Sequence, residues 1–315
     1  MVSSESIHKI GICGIGQMGA AAAVAFQRSG YEVLLWARNV DKLESVKETV
    51  ANLNTWMDEH VGPKPKEGGQ IRFETELACL DEEADLVMDC IAEDMDQKVE
   101  LFLALEQCSK RGAVFITTTS GLSITELGRR SNCKNLLAGT HFWNPPHLMP
   151  LVEVIRSEDT PDDVMDCVCE IVESIGKVPV RVNRDVPGFI GNRLLHALWR
   201  EAIYMVQEGI AEPEDIDKVA RLTFALRMPV MGPLENMDLV GLDLVKTIHD
   251  YLLESLSDEK QTQPEIHDRI EKNQLGIKSG KGFYDWSTRD ASELVARRDA
   301  QIVRQLNDLR DTGAL

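Results

Sequence analysis

The 315-residue chain carries 34 Lys and Arg against 52 Asp and Glu, a formal net charge of −18 at pH 7, with 43% hydrophobic and 27% charged residues. That length exceeds one ordinary core, so two domains are expected, and the apolar content suits globular packing rather than disorder. The acidic surface repels nucleic acid, no apolar run reaches the ~18 residues of a membrane helix, and residues 1–9 lack a signal-peptide core, so a cytoplasmic protein with neither nucleic acid nor membrane as partner is expected.

The acidic residues are spread over helices such as Asp41–Glu59 and Glu158–Glu173 rather than gathered in one tail. Seven cysteines (13, 79, 90, 108, 133, 167 and 169) form no CxxC pair, and the odd count fits no disulfide framework. Reduced, mostly buried thiols and no metal site are expected.

In chain order, Lys9–Cys13 reads as a short buried strand and Gln17–Ser29 as an Ala-rich helix closed by Gly30. Between them lies Gly14-Ile-Gly16-Gln17-Met18-Gly19. Gly14 permits a tight turn, Gly16 lets backbone approach a pyrophosphate, and Gly19 allows close helix–strand packing, while the helix N-terminus attracts the diphosphate. Strand before and helix after make this a dinucleotide-binding motif.

Tyr31–Trp36 reads as the second strand. An NAD site usually carries Asp or Glu at its end to hold the ribose 2′-hydroxyl, but here Trp36-Ala37-Arg38-Asn39 follows. Arg38 either accepts a 2′-phosphate or is a solvated arginine beside a backbone-held ribose, so the cofactor is read as NAD(P).

Further strands are expected at Leu86–Cys90, Val114–Thr117, Leu136–Thr140, Leu151–Ile155 and Val178–Val182, with helices at Asp96–Cys108, Ile124–Arg129 and Pro161–Ile175. This alternation specifies an α/β fold with a doubly wound, largely parallel sheet. The run from Gly62 to Gly69 is the clearest loop. After Asp185-Val-Pro-Gly188 the chain reads as helix after helix: one through Glu208, one from Glu212 to Phe224, one near Leu234–Ser255. The expected domains are therefore 1–186, Rossmann-type, and 187–315, mostly α-helical.

His141, in Gly139-Thr-His141-Phe-Trp-Asn144-Pro145, follows a predicted strand, where ligands sit in such folds. Glu153 stands in the apolar run Leu151-Val-Glu153-Val-Ile, and a buried carboxylate there calls for a partner. A carboxylate-held imidazole can take a hydroxyl proton while hydride leaves the same carbon. On the residues alone His141 is as readily a structural histidine, and His147 competes for the role. Thr117-Thr-Thr-Ser120-Gly121 and Gly188-Phe-Ile-Gly-Asn192-Arg193 offer polar groups at the presumed domain junction, where small molecules bind. Anionic cofactors must be drawn by local fields: helix ends, Arg38 and Lys98.

Together these segments resemble the L-3-hydroxyacyl-CoA dehydrogenase family, as do Met231-Gly-Pro233, Asp238-Leu-Val-Gly241-Leu-Asp243 and Lys278-Ser-Gly-Lys-Gly282-Phe-Tyr284, in order over nearly the whole chain. The resemblance implies His141 as general base, Glu153 as the carboxylate orienting it, Ser120 and Asn192 as groups holding the reacting oxygen, Glu93 and Lys98 near the nicotinamide ribose, and Asn144 as a further cofactor-binding residue. It also implies a homodimer built through the helical domain. Gly121 stands where acyl-CoA enzymes usually have a second serine, and Pro150 where they tend to carry Lys. The run Asn144–Glu153 looks more like relatives acting on free hydroxy acids or a pyridoxine-breakdown aldehyde. Lys64, Lys66, Arg129, Arg130 and Lys134 are the only nearby basic candidates for CoA phosphates. Crystallin relatives add a further alternative, a non-catalytic nucleotide-binding protein.

Overall fold

The computed structural model describes residues 2–62 and 69–315, so most of the Gly62–Gly69 loop, with Lys64 and Lys66, lies outside the described residues. By its contacts the chain divides into two compact units, Met1–Gly191 and Asn192–Leu315.

The first unit runs β1 (Lys9–Cys13), α1 (Gln17–Arg28), β2 (Glu32–Trp36), α2 (Leu43–His60), β3 (Gln70–Glu74), α3 (Leu77–Glu83), β4 (Leu86–Asp89), α4 (Met95–Ala104), α5 (Glu106–Arg111), β5 (Val114–Thr117), α6 (Ile124–Arg130), β6 (Leu137–Phe142), β7 (Leu151–Ile155), α7 (Asp162–Ser174) and β8 (Val178–Val182). Its eight strands form one sheet in the order β3-β2-β1-β4-β5-β6-β7-β8. Strands β1 to β6 pair in parallel, β7 runs antiparallel to β6, and β8 is parallel to β7. This is a Rossmann-type doubly wound sheet.

Alternating side chains build a core on each face. Ile10, Ile12, Val33, Leu35 and Val154 share one cluster with α1 and α7. Leu34, Val87, Phe115 and Leu137 share the other with Leu80, Phe102, Cys108 and Leu127 of α3 to α6. The strands are apolar on both faces because helices cover both.

The reversal at β7 has a simple cause. Only residues 143–150 join β6 to β7, too few for the crossover a parallel neighbour needs, so the chain doubles back. The buried Lys177 ammonium ties this connection down, donating to the Pro146 and Met149 carbonyls at 2.8 Å each. With no carboxylate partner among the described residues, it has its pKa lowered by burial to about 8.

Several boundaries differ from the sequence reading. β6 continues to Phe142, so His141 lies inside a strand rather than after one. The expected helix Asp96–Cys108 breaks at Leu105, whose backbone leaves the helical region at ψ 48°. The acidic stretch from Glu158 becomes helical only at Asp162, with Pro161 at the N-cap. β3 and α3 escape the pattern: β3 is a half-buried edge strand with no continuous apolar run, and α3 is only seven residues long.

From α8 (Gly191–Gln207) onward the chain is helical: α9 (Pro213–Leu222), α10 (Phe224–Arg227), α11 (Pro233–Val240), α12 (Leu242–Leu252), α13 (Pro264–Glu271) and α14 (Ala291–Asp311). The helix expected near Leu234–Ser255 is two, split at Gly241 with φ +100°. Helices α8 to α13 contain no buried residue, and Leu194, Trp199, Leu222, Leu239 and Leu242 are exposed. Among the described residues no helix is long and apolar enough to cross a membrane.

A Cβ on Gly19 would collide with the Gly14 carbonyl. Gly19→Ala is therefore expected to destabilise the first unit by about 1–3 kcal/mol. Thermal unfolding measures this, and an unchanged midpoint would contradict the packing argument.

Candidate active site

The antiparallel pairing of β6 and β7 sets His141 directly opposite Glu153 in the register. Both side chains stand on the same face of the sheet as cross-strand neighbours. His141 Nδ1 lies 2.7 Å from Glu153 Oε2, with the histidine 5% and the glutamate 1% exposed. Glu153 is therefore mid-strand.

The second carboxylate oxygen is also occupied. Ile190 N–H and Gly191 N–H donate to Glu153 Oε1 at 2.8 and 3.0 Å. They reach it because the chain turns through two left-handed residues, Gly188 at φ +77° and Phe189 at φ +45°. Phe189 is rarely suited to this conformation, at a strain of roughly 1–3 kcal/mol. Its ring is 2% exposed and 5.6 Å from the His141 ring, so burial helps offset the strain. Gly191 must lack a side chain, since a Cβ would run into the Trp143 indole.

Burial pushes the Glu153 carboxyl up, but the bonds from His141 and from the Gly191 and Ile190 amides outweigh it and hold it below its ordinary value. An ionised Glu153 has no proton to give, so Nδ1–H is the donor. A neutral His141 then keeps Nε2 as a free acceptor, the form a general base requires. His147, the competing candidate, packs edge-on against Trp56 at 5.2 Å between centroids.

Ser120 lies three residues beyond β5, on the strand adjacent to β6. Its loop is fastened by Glu93, whose Oε1 accepts from Thr119 Oγ1 at 2.6 Å, Ser120 N–H at 2.9 Å and Gly121 N–H at 3.2 Å. Lys98 Nζ is 3.8 Å from Glu93 Oε2 but 2.7 Å from the buried Asp89, which also accepts from Thr117 and Ile91 N–H. The Lys98 charge is thus matched within the protein. Asn192 is the second residue of α8 and belongs to the second unit.

The glycine motif forms a cradle suited to a dinucleotide. Gly14 has φ +116°, and a Cβ there would lie 2.5 Å from the Cys90 carbonyl. Gly16, by contrast, faces open space, leaving room for a diphosphate over the start of α1. A cavity of about 570 Å³ adjoins it, lined by Gly14, Gly16, Arg38, Lys42, Ile91 and Leu101 among others. Gln17 Nε2 donates to Asn144 Oδ1 at 3.1 Å, tying the glycine loop to the β6–β7 connection, and Met18 packs against the core behind the cradle.

Sequence reasoning missed Asp89, Lys42, Trp143, Phe189 and Lys177. Asp89 carried the same signal as Glu153, an acid in the apolar run Leu86-Val-Met-Asp89. The others have no local pattern, because their partners are distant in the chain.

The chain is similar to known proteins over most of its length. The chain matches the family models "3-hydroxyacyl-CoA dehydrogenase, NAD binding domain" over residues 9–186 and "3-hydroxyacyl-CoA dehydrogenase, C-terminal domain" over residues 188–286. It is 30% identical to 5-formyl-3-hydroxy-2-methylpyridine 4-carboxylate 5-dehydrogenase of Mesorhizobium japonicum, covering 94% of this chain and 96% of that one. It is 35% identical to the probable 3-hydroxybutyryl-CoA dehydrogenase of Deinococcus radiodurans, covering 88% of this chain and 100% of that one. Among solved structures it resembles that of a 5-formyl-3-hydroxy-2-methylpyridine 4-carboxylic acid 5-dehydrogenase, described as an NAD+ dependent dismutase, with a TM-score of 0.90, 30% identity and coverage of 96% and 99%.

A carboxyl whose folded pKa is lowered contributes stability that is present above its unfolded value and lost as pH falls through the folded one. The stability difference between wild type and Glu153→Gln is therefore expected to be largest near neutral pH and to shrink below about pH 4. Urea unfolding midpoints at neutral and acidic pH measure it; a difference independent of pH would show that Glu153 is not held ionised.

Proposed function

The chain belongs to the 3-hydroxyacyl-CoA dehydrogenase family of NAD-dependent oxidoreductases, and from that premise we propose that His141 and Glu153 form the base of an alcohol dehydrogenation. The single observation that carries this reading is the 2.7 Å contact of His141 Nδ1 with a Glu153 carboxylate anchored by two backbone amides. The nicotinamide dinucleotide, when bound, supplies the hydride acceptor. Glu153 fixes the tautomer, His141 Nε2 takes the hydroxyl proton, and Ser120 and Asn192 hold the reacting oxygen. In the reverse direction His141 returns the proton to the carbonyl oxygen. Glu93 keeps the Ser120 loop in place, and Gly14, Gly16, Gln17, Met18, Gly19 and Asn144 build the cofactor cradle.

The substrate we favour is a free polar alcohol or aldehyde rather than a CoA thioester. An aldehyde enters the same chemistry as its hydrate, which presents a C–OH and a C–H on one carbon. Arg129 is already paired with Glu158 and Asp159, and Arg130 with Asp96 and Glu126, so two of the cations available for CoA phosphates are matched. Gly121 and Pro150 depart from the acyl-CoA pattern in the same direction, and the likeness to the formylpyridine-carboxylate dehydrogenase, at TM-score 0.90, supports it.

We also propose a homodimer in which the helical unit, residues 192–315, is the dimerisation element. Helices with wide apolar faces and no buried residue lack a core of their own, and a second copy would supply it.

Three outcomes are expected. His141→Ala lowers turnover ~10²–10⁴-fold while nucleotide binding persists; unchanged turnover would reject the base assignment. Acetoacetyl-CoA with NADH or NADPH gives no loss of reduced-nicotinamide absorbance, whereas free aldehydes and hydroxy acids reduce NAD+ or NADP+ with a gain of that absorbance; rapid thioester turnover would restore the CoA reading. Sedimentation gives a dimer whose dissociation on dilution melts helix content, and a stable folded monomer would refute the dimer.

A further inference from the structure

We propose that the adenosine end of the nucleotide cavity is built for a 2′-phosphate, held by Arg38 and Lys42, so that this chain prefers NADP(H) to NAD(H). The inference rests on the dinucleotide-site reading and deepens it. Three observations carry it.

First, the position that would repel a phosphate is apolar. β2 ends at Trp36, its indole N–H donates to the Thr75 carbonyl, and the next side chain is the buried methyl of Ala37. No carboxylate stands there to accept from a ribose 2′-hydroxyl.

Second, two cations line the cavity at this end, Arg38 and Lys42, against one acid, Glu100. Among the described residues neither cation has a carboxylate partner. Of the acids near β2 and α2, Glu74 pairs with Arg72 at 2.8 Å and Glu44 with Lys47 at 2.6 Å, and Asp41, in the same turn, does not line the cavity. In a chain of charge −18, Arg28, Arg72, Arg129, Arg130 and Arg181 are spent in ion pairs, whereas Arg38 and Lys42 face the nucleotide cavity without one among the described residues.

Third, the spacing is held by local structure. Asn39 Oδ1 accepts from Asp41 N–H at 2.9 Å, and Lys42 N–H bonds the Asn39 carbonyl at 3.3 Å, folding residues 39–42 into one turn. That turn sets Arg38 and Lys42 on the same cavity wall. A guanidinium offers a planar fork to phosphate oxygens and an ammonium a mobile point charge. Leu77, Ile91 and Leu101 on the same cavity supply an apolar wall for a base.

The test uses the full chain and calorimetric titration with 2′,5′-ADP and with 5′-AMP, which differ only in the 2′-phosphate. Wild type is expected to bind 2′,5′-ADP roughly ten- to hundred-fold more tightly. Arg38→Ala should remove most of that preference, Lys42→Ala part of it, and Arg38→Asp should reverse the order for NADPH and NADH. Both side chains are exposed, so melting temperatures should not move, and that measurement separates lost binding from lost folding. Equal binding of the two nucleotides, with NADH bound as well as NADPH, would overturn the inference and leave the dinucleotide site standing. A preference that survives in the Arg38→Ala, Lys42→Ala double variant would also overturn it. Failure of all four nucleotides to bind would overturn both the inference and the site.

Discussion

A carboxylate buried within a sheet is the constraint around which the first unit is arranged. Glu153 sits on β7, one strand in from the sheet edge, flanked by apolar neighbours and almost without solvent, where an isolated charge would cost several kcal/mol. It is tolerated because both oxygens are satisfied: one by the imidazole across the strand, the other by two amides delivered from the segment after β8. Each requirement propagates. The imidazole must come from an antiparallel neighbour in register, which the short β6–β7 connection enforces. The amides must be turned inward, which Gly188 and the strained Phe189 accomplish, and Gly191 must yield space to Trp143. What looks like a set of separate motifs in the sequence is one hydrogen-bonding problem with one solution.

The same logic explains how much of the molecule could be read from its residues. β1, β5, β7 and β8 have the bounds their apolar runs predict; for β1 and β5 the reason is that buried parallel strands are written as continuous hydrophobic segments. β3 escaped because an edge strand needs only a half-buried face, and the helix breaks at Leu105 and Gly241 are set by backbone geometry rather than periodicity. His141 and Glu153 could be singled out individually, but residues alone left His141 open as a structural histidine. The deciding fact, that they are cross-strand partners, follows from the direction of β7, which the short connection to β6 sets and which a reading of strand positions alone passes over. Asp89 could have been found by the same argument as Glu153. Lys42 and Lys177 could not, because nothing around them in the chain announces a carbonyl or a ligand.

The charge distribution ties the two ends of the cavity together. A protein this acidic has to bind an anionic dinucleotide, and it meets that demand by local matching rather than by overall potential. Near the chemistry, Lys98 is matched by Asp89, and Glu93 turns its carboxylate to backbone amides and the Thr119 hydroxyl, so this end is ordered without offering strong net charge. At the far end the balance is left positive. Such a gradient lets the phosphate-bearing half of a nucleotide be anchored firmly while the reacting half is positioned by hydrogen bonds, so binding energy gathered at Arg38 and Lys42 can orient a ring that those residues never touch.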